Sequence, residues 1–171
     1  MKNLWRWALV AAGVFGFAIG VATTHVEARE VVPFNGQYSA GTIVVSSSQR
    51  QLFLVLGNGS AIRYPVAVGK TGKRWAGTAA IREMQKHPYW IPPAEVKRDK
   101  PELPNLIPPG PRNPMGTRVM VLDRDQYAIH GTNRPDSIGT FASYGCIRMH
   151  NAHIEDLYER VRPGTQVVVL Q

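Results

Sequence analysis

The chain contains one cysteine, Cys146, in the stretch Ser-Tyr-Gly-Cys-Ile-Arg-Met at positions 143–149. A thiol becomes a good nucleophile when a neighbouring base takes its proton. His130 ends a predicted strand, and the loop between it and Cys146, which contains glycine and proline, can bring the two side chains together. The pair therefore predicts nucleophilic catalysis by a cysteine with a histidine base. The histidine precedes the cysteine, which excludes a papain-like arrangement.

The residues beside Cys146 suit the same chemistry. Gly145 allows a tight, exposed turn and a close approach of substrate to the backbone, whose N–H groups can stabilise an oxyanion. Arg148 shares a face with Cys146 if the segment is extended, and there its charge can bind a carboxylate or favour the thiolate. The alternative for Arg148 is a surface salt bridge.

Two other roles for Cys146 need no catalysis. The thiol can be a buried, inert side chain that packs as a small hydrophobic group. It can also bind zinc with His150 and His153, although zinc sites usually need three or four spaced ligands. These two histidines lie near the start of a predicted helix, where the helix dipole disfavours a cation, and we expect both at the surface. His87 falls in a proline-rich segment.

The N-terminal segment has the order of a secretory signal peptide. Lys2 and Arg6 precede an uncharged apolar stretch at 8–22, and a small residue, Ala28, follows at a suitable cleavage site. We therefore expect residues 1–28 to be a signal peptide and the protein to be exported to the periplasm or cell envelope. The alternative is an uncleaved segment 8–22 that anchors the protein to the inner membrane, although a spanning helix needs about 20 apolar residues.

Residues 29–171 are long enough for one domain with a hydrophobic core. The formal net charge of the chain is +8, which favours an anionic partner. The basic residues are scattered, so no nucleic-acid partner is expected. Exported proteins use cysteines in pairs as disulfides, so an unpaired cysteine indicates a reactive thiol or a partner chain.

Hydrophobic patterns predict a mostly β domain with one helix near its end. An Asn-Gly turn joins the segments 50–56 and 61–69 in a hairpin, and Pro65 indicates that the returning strand is an edge strand or carries a bulge. Asn151 is predicted to cap the helix, which the Pro-Gly pair at 163–164 ends. Further strands are predicted at 42–46, 118–122, 126–131 and 165–170.

Nine of the thirteen prolines fall between residues 87 and 114. Proline fixes φ and lacks a backbone donor, so neither a helix nor a central strand is expected there. Because disordered segments are poor in aromatic residues, Tyr89 and Trp90 favour an ordered flap that packs on the domain over a disordered linker. A flap beside the site would shape it.

The motif residues resemble those of a known family. His-Gly-Thr-Asn-Arg-Pro at 130–135, Ser-Ile-Gly at 137–139, the cysteine stretch at 143–149 and Asn151 together look like the signature of the L,D-transpeptidases, the YkuD-type catalytic domain. The likeness extends over residues 42–170. It implies a mostly β fold with mixed sheets and a short helix.

The resemblance also implies a reaction on peptidoglycan stem peptides. The cysteine matching Cys146 attacks the third stem residue, a terminal D-alanine leaves, and a thioester forms. An amine from another stem, a lipoprotein or another acceptor then resolves the thioester. The histidine matching His130 accepts and donates the proton, and a backbone carbonyl, here that of Gly131, orients it. No cofactor and no metal are implied.

The remaining motif positions are implied to form the substrate and oxyanion site. Two positions depart from the family pattern, because many members have histidine where Tyr144 stands and aspartate where His153 stands. The residues assigned to this part of the site are Ser143, Tyr144, Gly145, Arg148 and Asn133.

Two further interpretations use the same residues. A hydrolase, either an L,D-carboxypeptidase or a cross-link-cleaving endopeptidase, would form the same thioester and use water as acceptor. A non-catalytic wall-binding protein would carry Cys146 as an inert thiol. The aromatic residues Trp75, Tyr89 and Trp90 can stack on sugar rings or stem peptides, but core packing of the flap is the favoured interpretation.

Overall fold

The computed structural model describes residues 29–171 as a mostly β domain with ten strands, two short α-helices and one turn of 3-10 helix at Pro135–Ser137. The predicted signal peptide, with its alternative anchor, lies outside the described residues. Within 29–171, neither helix is long and apolar enough to cross a membrane. The strands are β1 (Glu30–Pro33), β2 (Ile43–Ser46), β3 (Gln51–Gly57), β4 (Ser60–Gly69), β5 (Gly77–Lys86), β6 (Arg118–Leu122), β7 (Ala128–His130), β8 (Phe141–Ser143), β9 (Ile147–Met149) and β10 (Gln166–Leu170), and the helices are α1 (Ala94–Asp99) and α2 (Asn151–Tyr158).

The predicted hairpin is confirmed. Strands β3 and β4 pair antiparallel, with Leu54 opposite Ile62. Asn58 and Gly59 join them with φ angles of 47° and 75°, which is the left-handed conformation that an Asn-Gly pair adopts in a tight hairpin turn. The local sequence therefore sets both the turn and the register of this pair.

Pro65 lies in a central strand, so the expectation that the returning strand is an edge strand is wrong, whereas a register shift in this strand is present in its pairing with β8, between Val68 and Gly69. On one side β4 pairs with β3, and on the other side it pairs with β1 as far as Arg63 and with β9 from Val66. Pro65 stands in the gap between these two partners, where no backbone N–H donor is needed. The β3–β4 pair has a register shift of its own, between Val55 and Gly57.

The sheet closes on itself into a barrel-like structure. Its strands follow the order β1-β4-β3-β2-β10-β5-β6-β7-β9, and β9 pairs back with β4. The pairs β2–β10, β7–β9 and β4–β8 are parallel and the others are antiparallel. This confirms the expected mostly β fold with mixed pairing. The core within the sheet contains fully buried side chains that include Leu52, Tyr64, Ile81, Met120 and Met149.

Helix α2 packs on the sheet through Ile154 and Leu157, which are both fully buried. It ends at Tyr158, before the predicted Pro-Gly stop. The prediction that Asn151 caps the helix is wrong, since His150 is the cap residue. The Asn151 side chain is instead hydrogen-bonded to the loop that follows β7.

His153 is 5% exposed, which corrects the expectation of a surface residue. Its ring lies 5.7 Å from that of Tyr64 and 5.4 Å from that of the half-buried His150, measured between centroids. Burial lowers the pKa of His153, so the imidazole is mostly neutral near pH 7. The helix-start histidines are therefore packing residues of α2.

The segment 87–114 is ordered and lies on the domain, with Trp90 and Ile107 paired in an antiparallel bridge. It contains helix α1, contrary to the expectation drawn from its prolines. The helix fits because Pro93 directly precedes it and Pro101 follows it, so its interior is free of proline. Strand β5 was not predicted because most of its side chains are exposed and it has no apolar run.

Candidate active site

Strands β7 and β9 bring the predicted catalytic residues together. They pair in parallel, with His130 opposite Arg148 and Ile129 opposite Ile147. The two isoleucines are buried in the core. Because side chains alternate along a strand, His130 and Arg148 project from the other face. Cys146, one residue before β9, shares that face.

His130, Cys146 and Arg148 line one cavity of about 870 Å³. The flap at 87–114 supplies much of its wall, through Trp90 and helix α1. The motif and the proline-rich segment, which are separate in the sequence, therefore form one site. Its charged lining is mostly basic and consists of Lys73, Lys100, Arg112, Arg134 and Arg148 against Glu95 and Asp125.

His130 is 2% exposed, and its Nδ1 lies 2.7 Å from the carbonyl oxygen of Gly131. Because a carbonyl only accepts, Nδ1 carries the proton and donates to this bond. Burial, together with the charge of Arg148, lowers the pKa of His130 to about 3, against the carbonyls of Gly131 and Pro114, which raise it. The imidazole is therefore neutral near pH 7, and its Nε2 lone pair is available to take a proton.

Cys146 is half-buried, and its sulfur lies 4.0 Å from the carbonyl oxygen of Gln126. Burial raises the pKa of the thiol, while the backbone N–H of Ala128 and the charge of Arg148 lower it. Burial has the largest effect, so the resting pair is a neutral thiol beside a neutral imidazole. Attack by this thiol requires that its proton pass to a base.

We expect iodoacetamide to alkylate Cys146 slowly at pH 7, with a rate that rises through pH 9 and above. The thiolate is the reacting form, and burial raises the pKa of this thiol. Cys146 is the one cysteine in the chain, so the mass of the intact protein reports it alone. Glutathione, alkylated in parallel, is the accessible control thiol. A midpoint below that of glutathione would indicate a resting thiolate–imidazolium pair instead.

The turn at 143–146, here called the cysteine turn, requires glycine at its third position. Gly145 has a φ of 116°, and a Cβ placed there would lie 2.3 Å from Cε1 of Tyr127. Ser143 Oγ accepts a hydrogen bond from the N–H of Gly145 at 3.1 Å and donates one to the carbonyl of Cys146 at 2.5 Å. Ser143 and Gly145 thus shape the turn that presents the thiol.

Trp75 and Tyr127 pack against the cysteine turn. Trp75 Nε1 donates to the carbonyl oxygen of Gly145 at 2.9 Å, and the Trp75 ring stacks on that of Tyr127 with centroids 5.2 Å apart. Trp75 is therefore a packing residue, but of the cysteine turn rather than of the flap. Tyr89, by contrast, is 65% exposed and does not pack in the core. No local sequence signal identifies Tyr127, because these contacts join distant segments.

Arg148 is held inside the cavity by a hydroxyl. Its Nη1 donates to Ser137 Oγ at 2.8 Å, and Ser137 in turn donates to the carbonyl of Arg134 at 2.6 Å. Arg148 is therefore not a surface salt-bridge residue. Burial and the charge of Arg134 lower the pKa of Arg148, but a guanidinium stays protonated in proteins. Ser137, a residue of the family motif to which the sequence assigned no role in the site, thus holds a positive charge in place.

Tyr144 and Asn133 connect the site to the flap, and both also line the cavity. Tyr144 Oη donates to Asp99 of α1 at 2.6 Å, and Lys70 Nζ lies 3.8 Å from the centre of the Tyr144 ring. Asn133 Nδ2 donates to the carbonyl of Arg112 at 3.0 Å. These contacts hold the flap beside the thiol.

The zinc interpretation of Cys146 finds no support. His150 and His153 pack on each other, and His153 packs on Tyr64, whereas Cys146 lines the cavity. Across residues 29–171, no three His, Cys, Asp or Glu side chains are grouped so that they could hold a metal ion.

The fold and this site define a class of protein. A closed, mostly β domain presents a thiol, a neutral imidazole and a fixed positive charge in one basic cavity, which suits acyl transfer through a cysteine. The YkuD family model, the L,D-transpeptidase catalytic domain, matches residues 40–169. The chain belongs to this family.

Relatives and solved structures agree with this membership. The probable L,D-transpeptidase YbiS of Escherichia coli (strain K12) is 35% identical over 135 residues, which cover 74% of this chain and 43% of YbiS. The chain thus spans less than half the length of that relative. L,D-transpeptidase 3 from Mycobacterium tuberculosis shares the fold, with a TM-score of 0.60 at 15% identity over 76% of this chain and 60% of that one.

A solved protein from Brucella melitensis is more similar in sequence. It is 43% identical, with a TM-score of 0.55 over 84% of this chain and 93% of that one, and it is described as a probable carnitine operon oxidoreductase. That description is of the Brucella protein. For this chain, the family model and the curated relatives are those of L,D-transpeptidases.

Proposed function

We propose that this protein is an exported cysteine L,D-transpeptidase that acts on peptidoglycan stem tetrapeptides. It forms a thioester between Cys146 and the third stem residue, releases D-alanine and transfers the acyl group to an amine. Family membership supports the reaction class. The observation that carries the proposal is the placement of Cys146, His130 and Arg148 on one sheet face in one cavity.

In the first half-reaction, the sulfur of Cys146 attacks the carbonyl carbon of the third stem residue. The thiol proton passes to Nε2 of His130, while Nδ1 stays bonded to the carbonyl of Gly131. The charge of Arg148 stabilises the oxyanion, together with backbone N–H groups of the cysteine turn other than that of Gly145, which is bonded to Ser143 Oγ. When the C–N bond breaks, His130 returns the proton to the leaving nitrogen, and D-alanine departs.

In the second half-reaction, an acceptor amine attacks the thioester carbonyl and His130 takes a proton from it. The C–S bond then breaks, and the sulfur leaves as a thiolate that His130 reprotonates. One amide bond has been exchanged for another, so the two half-reactions together need no oxidant and no nucleotide. The acceptor amine belongs to a second stem peptide, a lipoprotein or another amine.

The charge of the protein suits this substrate. Stem peptides carry carboxylates, and the cavity offers Arg148, which Ser137 holds in place, together with Arg112 and Arg134. The net positive charge of the protein would also raise the encounter rate with an anionic wall polymer. We place the protein in the periplasm or cell envelope because residues 1–28 have the order of a signal peptide. An uncleaved segment 8–22 would anchor it to the inner membrane.

Mass spectrometry of the purified protein, residues 1–171, incubated with disaccharide-tetrapeptide tests the proposal. We expect loss of D-alanine together with a cross-linked dimer, and an acceptor adduct when a free D-amino acid is added. Disaccharide-tripeptide, which lacks the terminal D-alanine, is the matched control and should not form a dimer when it is supplied alone. Unchanged tetrapeptide would contradict the proposal.

The same experiment separates the other two interpretations. Tripeptide as the sole product, even with an added amine, would indicate a hydrolase in which water resolves the thioester. Unchanged substrate would favour a non-catalytic wall-binding protein. The observation that favours this last interpretation is the raised pKa of the Cys146 thiol, which leaves the free protein without a preformed thiolate.

A further inference from the structure

We propose that Asn151 is a positioning residue that holds the His130 imidazole in the tautomer and orientation needed for proton transfer. It acts through the Gly131–Thr132 peptide and does not touch the reacting atoms. The inference rests on the proposed function of His130 and adds a residue to that site.

The side-chain amide of Asn151 binds the backbone of two loops. Its Oδ1 accepts hydrogen bonds from the N–H of Thr132 at 3.0 Å and from the N–H of Thr117 at 3.3 Å. Its Nδ2 donates to the carbonyl of Thr132 at 3.0 Å. Because one amide engages both the N–H and the C=O of Thr132, it fixes this residue in two directions.

One peptide group connects Asn151 to His130. The peptide between Gly131 and Thr132 presents its N–H to Asn151 at 3.0 Å and its C=O to Nδ1 of His130 at 2.7 Å. A peptide group is planar, so fixing its N–H also fixes the direction of its carbonyl. Hydrogen bonds in series polarise one another, which strengthens this carbonyl as an acceptor.

Two glycines make room for the amide. A Cβ at Gly116 would lie 2.1 Å, and one at Gly131 would lie 2.2 Å, from Oδ1 of Asn151. Gly116 also has a φ of 65°. The amide therefore sits in a space formed by the turn before β6 and the loop after β7, and a side chain at either glycine would displace it.

Helix α2 fixes the position of the Asn151 amide. Asn151 is its first residue, and Ile154 and Leu157 of the same helix are fully buried in the core. The cap position is occupied by His150, so the Asn151 amide is not used by its own helix. Because core packing fixes α2, the Asn151 side chain has a fixed position relative to the loop after β7, which orients His130.

Asn151→Ala is expected to lower kcat about 10- to 100-fold with little change in KM, the range found for outer partners that orient metal-binding histidines. Asn151→Asp keeps the acceptor for the N–H groups of Thr132 and Thr117 but loses the donor to the Thr132 carbonyl. We expect it to retain most of the activity, because the bond that fixes the shared peptide survives.

The decisive readout is the tautomer of His130, measured by nitrogen–proton correlation spectra of the imidazole ring in the protein of residues 1–171. The His130 signals are assigned by their absence in His130→Gln. In the wild type and in Asn151→Asp we expect the Nδ1–H tautomer alone. In Asn151→Ala we expect a mixture with the Nε2–H tautomer, because the Gly131 carbonyl is free to rotate.

Tyr64→Phe is the control for a merely structural effect. Tyr64 Oη donates to Asp156 of α2 at 2.6 Å. This variant therefore removes a hydrogen bond between α2 and the sheet and leaves the hydrogen bonds of the Gly131–Thr132 peptide unchanged. Its melting temperature should fall while its His130 tautomer stays that of the wild type. If Asn151→Ala does not fold, Asn151→Ser takes its place, and the same tautomer mixture is required of it.

The outcomes separate this inference from the proposed function. A wild-type tautomer in Asn151→Ala overturns the positioning role even if the wild type releases D-alanine normally. A tautomer mixture in Tyr64→Phe equal to that in Asn151→Ala also overturns it. If the wild type releases no D-alanine, the proposed function fails, but the spectra still decide whether Asn151 sets the state of His130.

Discussion

Replacing Cys146 by alanine is expected to abolish the release of D-alanine from disaccharide-tetrapeptide, with a loss in kcat of about 10⁴-fold or more, as for the removal of other catalytic nucleophiles. The chain contains no second cysteine that could replace the sulfur. Within residues 29–171, the Cys146 sulfur contacts the carbonyl oxygen of Gln126 at 4.0 Å and the backbone N–H of Ala128. Its removal should therefore leave the fold intact, and released D-alanine can be measured by mass spectrometry.

Cys146→Ser is the matched control for this loss. The hydroxyl is close in size to the thiol but is a much weaker nucleophile under the same base, so its activity should also be very low. Both variants should melt within a few degrees of the wild type. D-alanine release by Cys146→Ala at a rate near that of the wild type would show that another group attacks the stem, and it would remove the thioester from the mechanism.

Replacing His130 by alanine is expected to lower kcat about 10³-fold at pH 7, within the range for loss of a general acid–base. The effect is large because burial raises the pKa of the Cys146 thiol. With a neutral resting thiol, attack depends on proton transfer to the imidazole, and departure of D-alanine depends on the return of that proton. Steady-state D-alanine release at saturating substrate measures the loss.

His130→Gln separates the chemical role from the packing role. His130 is buried, so alanine leaves a cavity, whereas glutamine retains volume and a donor for the Gly131 carbonyl but cannot act as a base. We expect it to be nearly as inactive as His130→Ala at pH 7. Its activity should rise as the pH approaches the pKa of the thiol, since thiolate then forms without a base. Near-normal turnover of His130→Gln at pH 7 would contradict the cysteine–histidine pair.

A buried side chain connects distant parts of the flap. Asn113 is 1% exposed, and its Nδ2 donates to the carbonyl of Pro88 at 2.8 Å. The ion pair of Lys70 with Asp99 is solvent-exposed, and such pairs contribute little to stability. A proline-rich segment can therefore be ordered. The buried Asn113 side chain donates to backbone carbonyls that make no hydrogen bonds in a helix or a sheet.

Elements with a strong local signal were predicted from the sequence. The β3–β4 hairpin follows from its Asn-Gly turn, and β6 and β10 follow from short runs of β-branched and aliphatic residues. Strand β5 could not be predicted, because its position in the sheet comes from pairing with β10 and β6 rather than from its own composition. Helix α1 was not predicted, because prolines precede and follow it in the sequence.

Some residues of the candidate site were likewise predicted from the sequence, and others were not. The motif and its family resemblance predict Cys146, His130, Gly131 and Arg148 as site residues. The sequence did not reveal that Ser137 holds Arg148, or that Trp75 binds the carbonyl of the cysteine turn. It also suggested a cap for Asn151, since Asn at a helix start usually bonds its own helix.

Local patterns in the sequence predict the strands and turns that have them, the residues available for chemistry and the family that they resemble. The groups that surround the thiol, the orientation of the imidazole and the neutral state of both depend on the folded chain. The two sets differ because the interactions act over different distances along the chain. Turn geometry and alternation depend on neighbours in the chain, whereas burial, shifted pKa values and side-chain bonds to distant backbone depend on segments that meet only when the sheet closes.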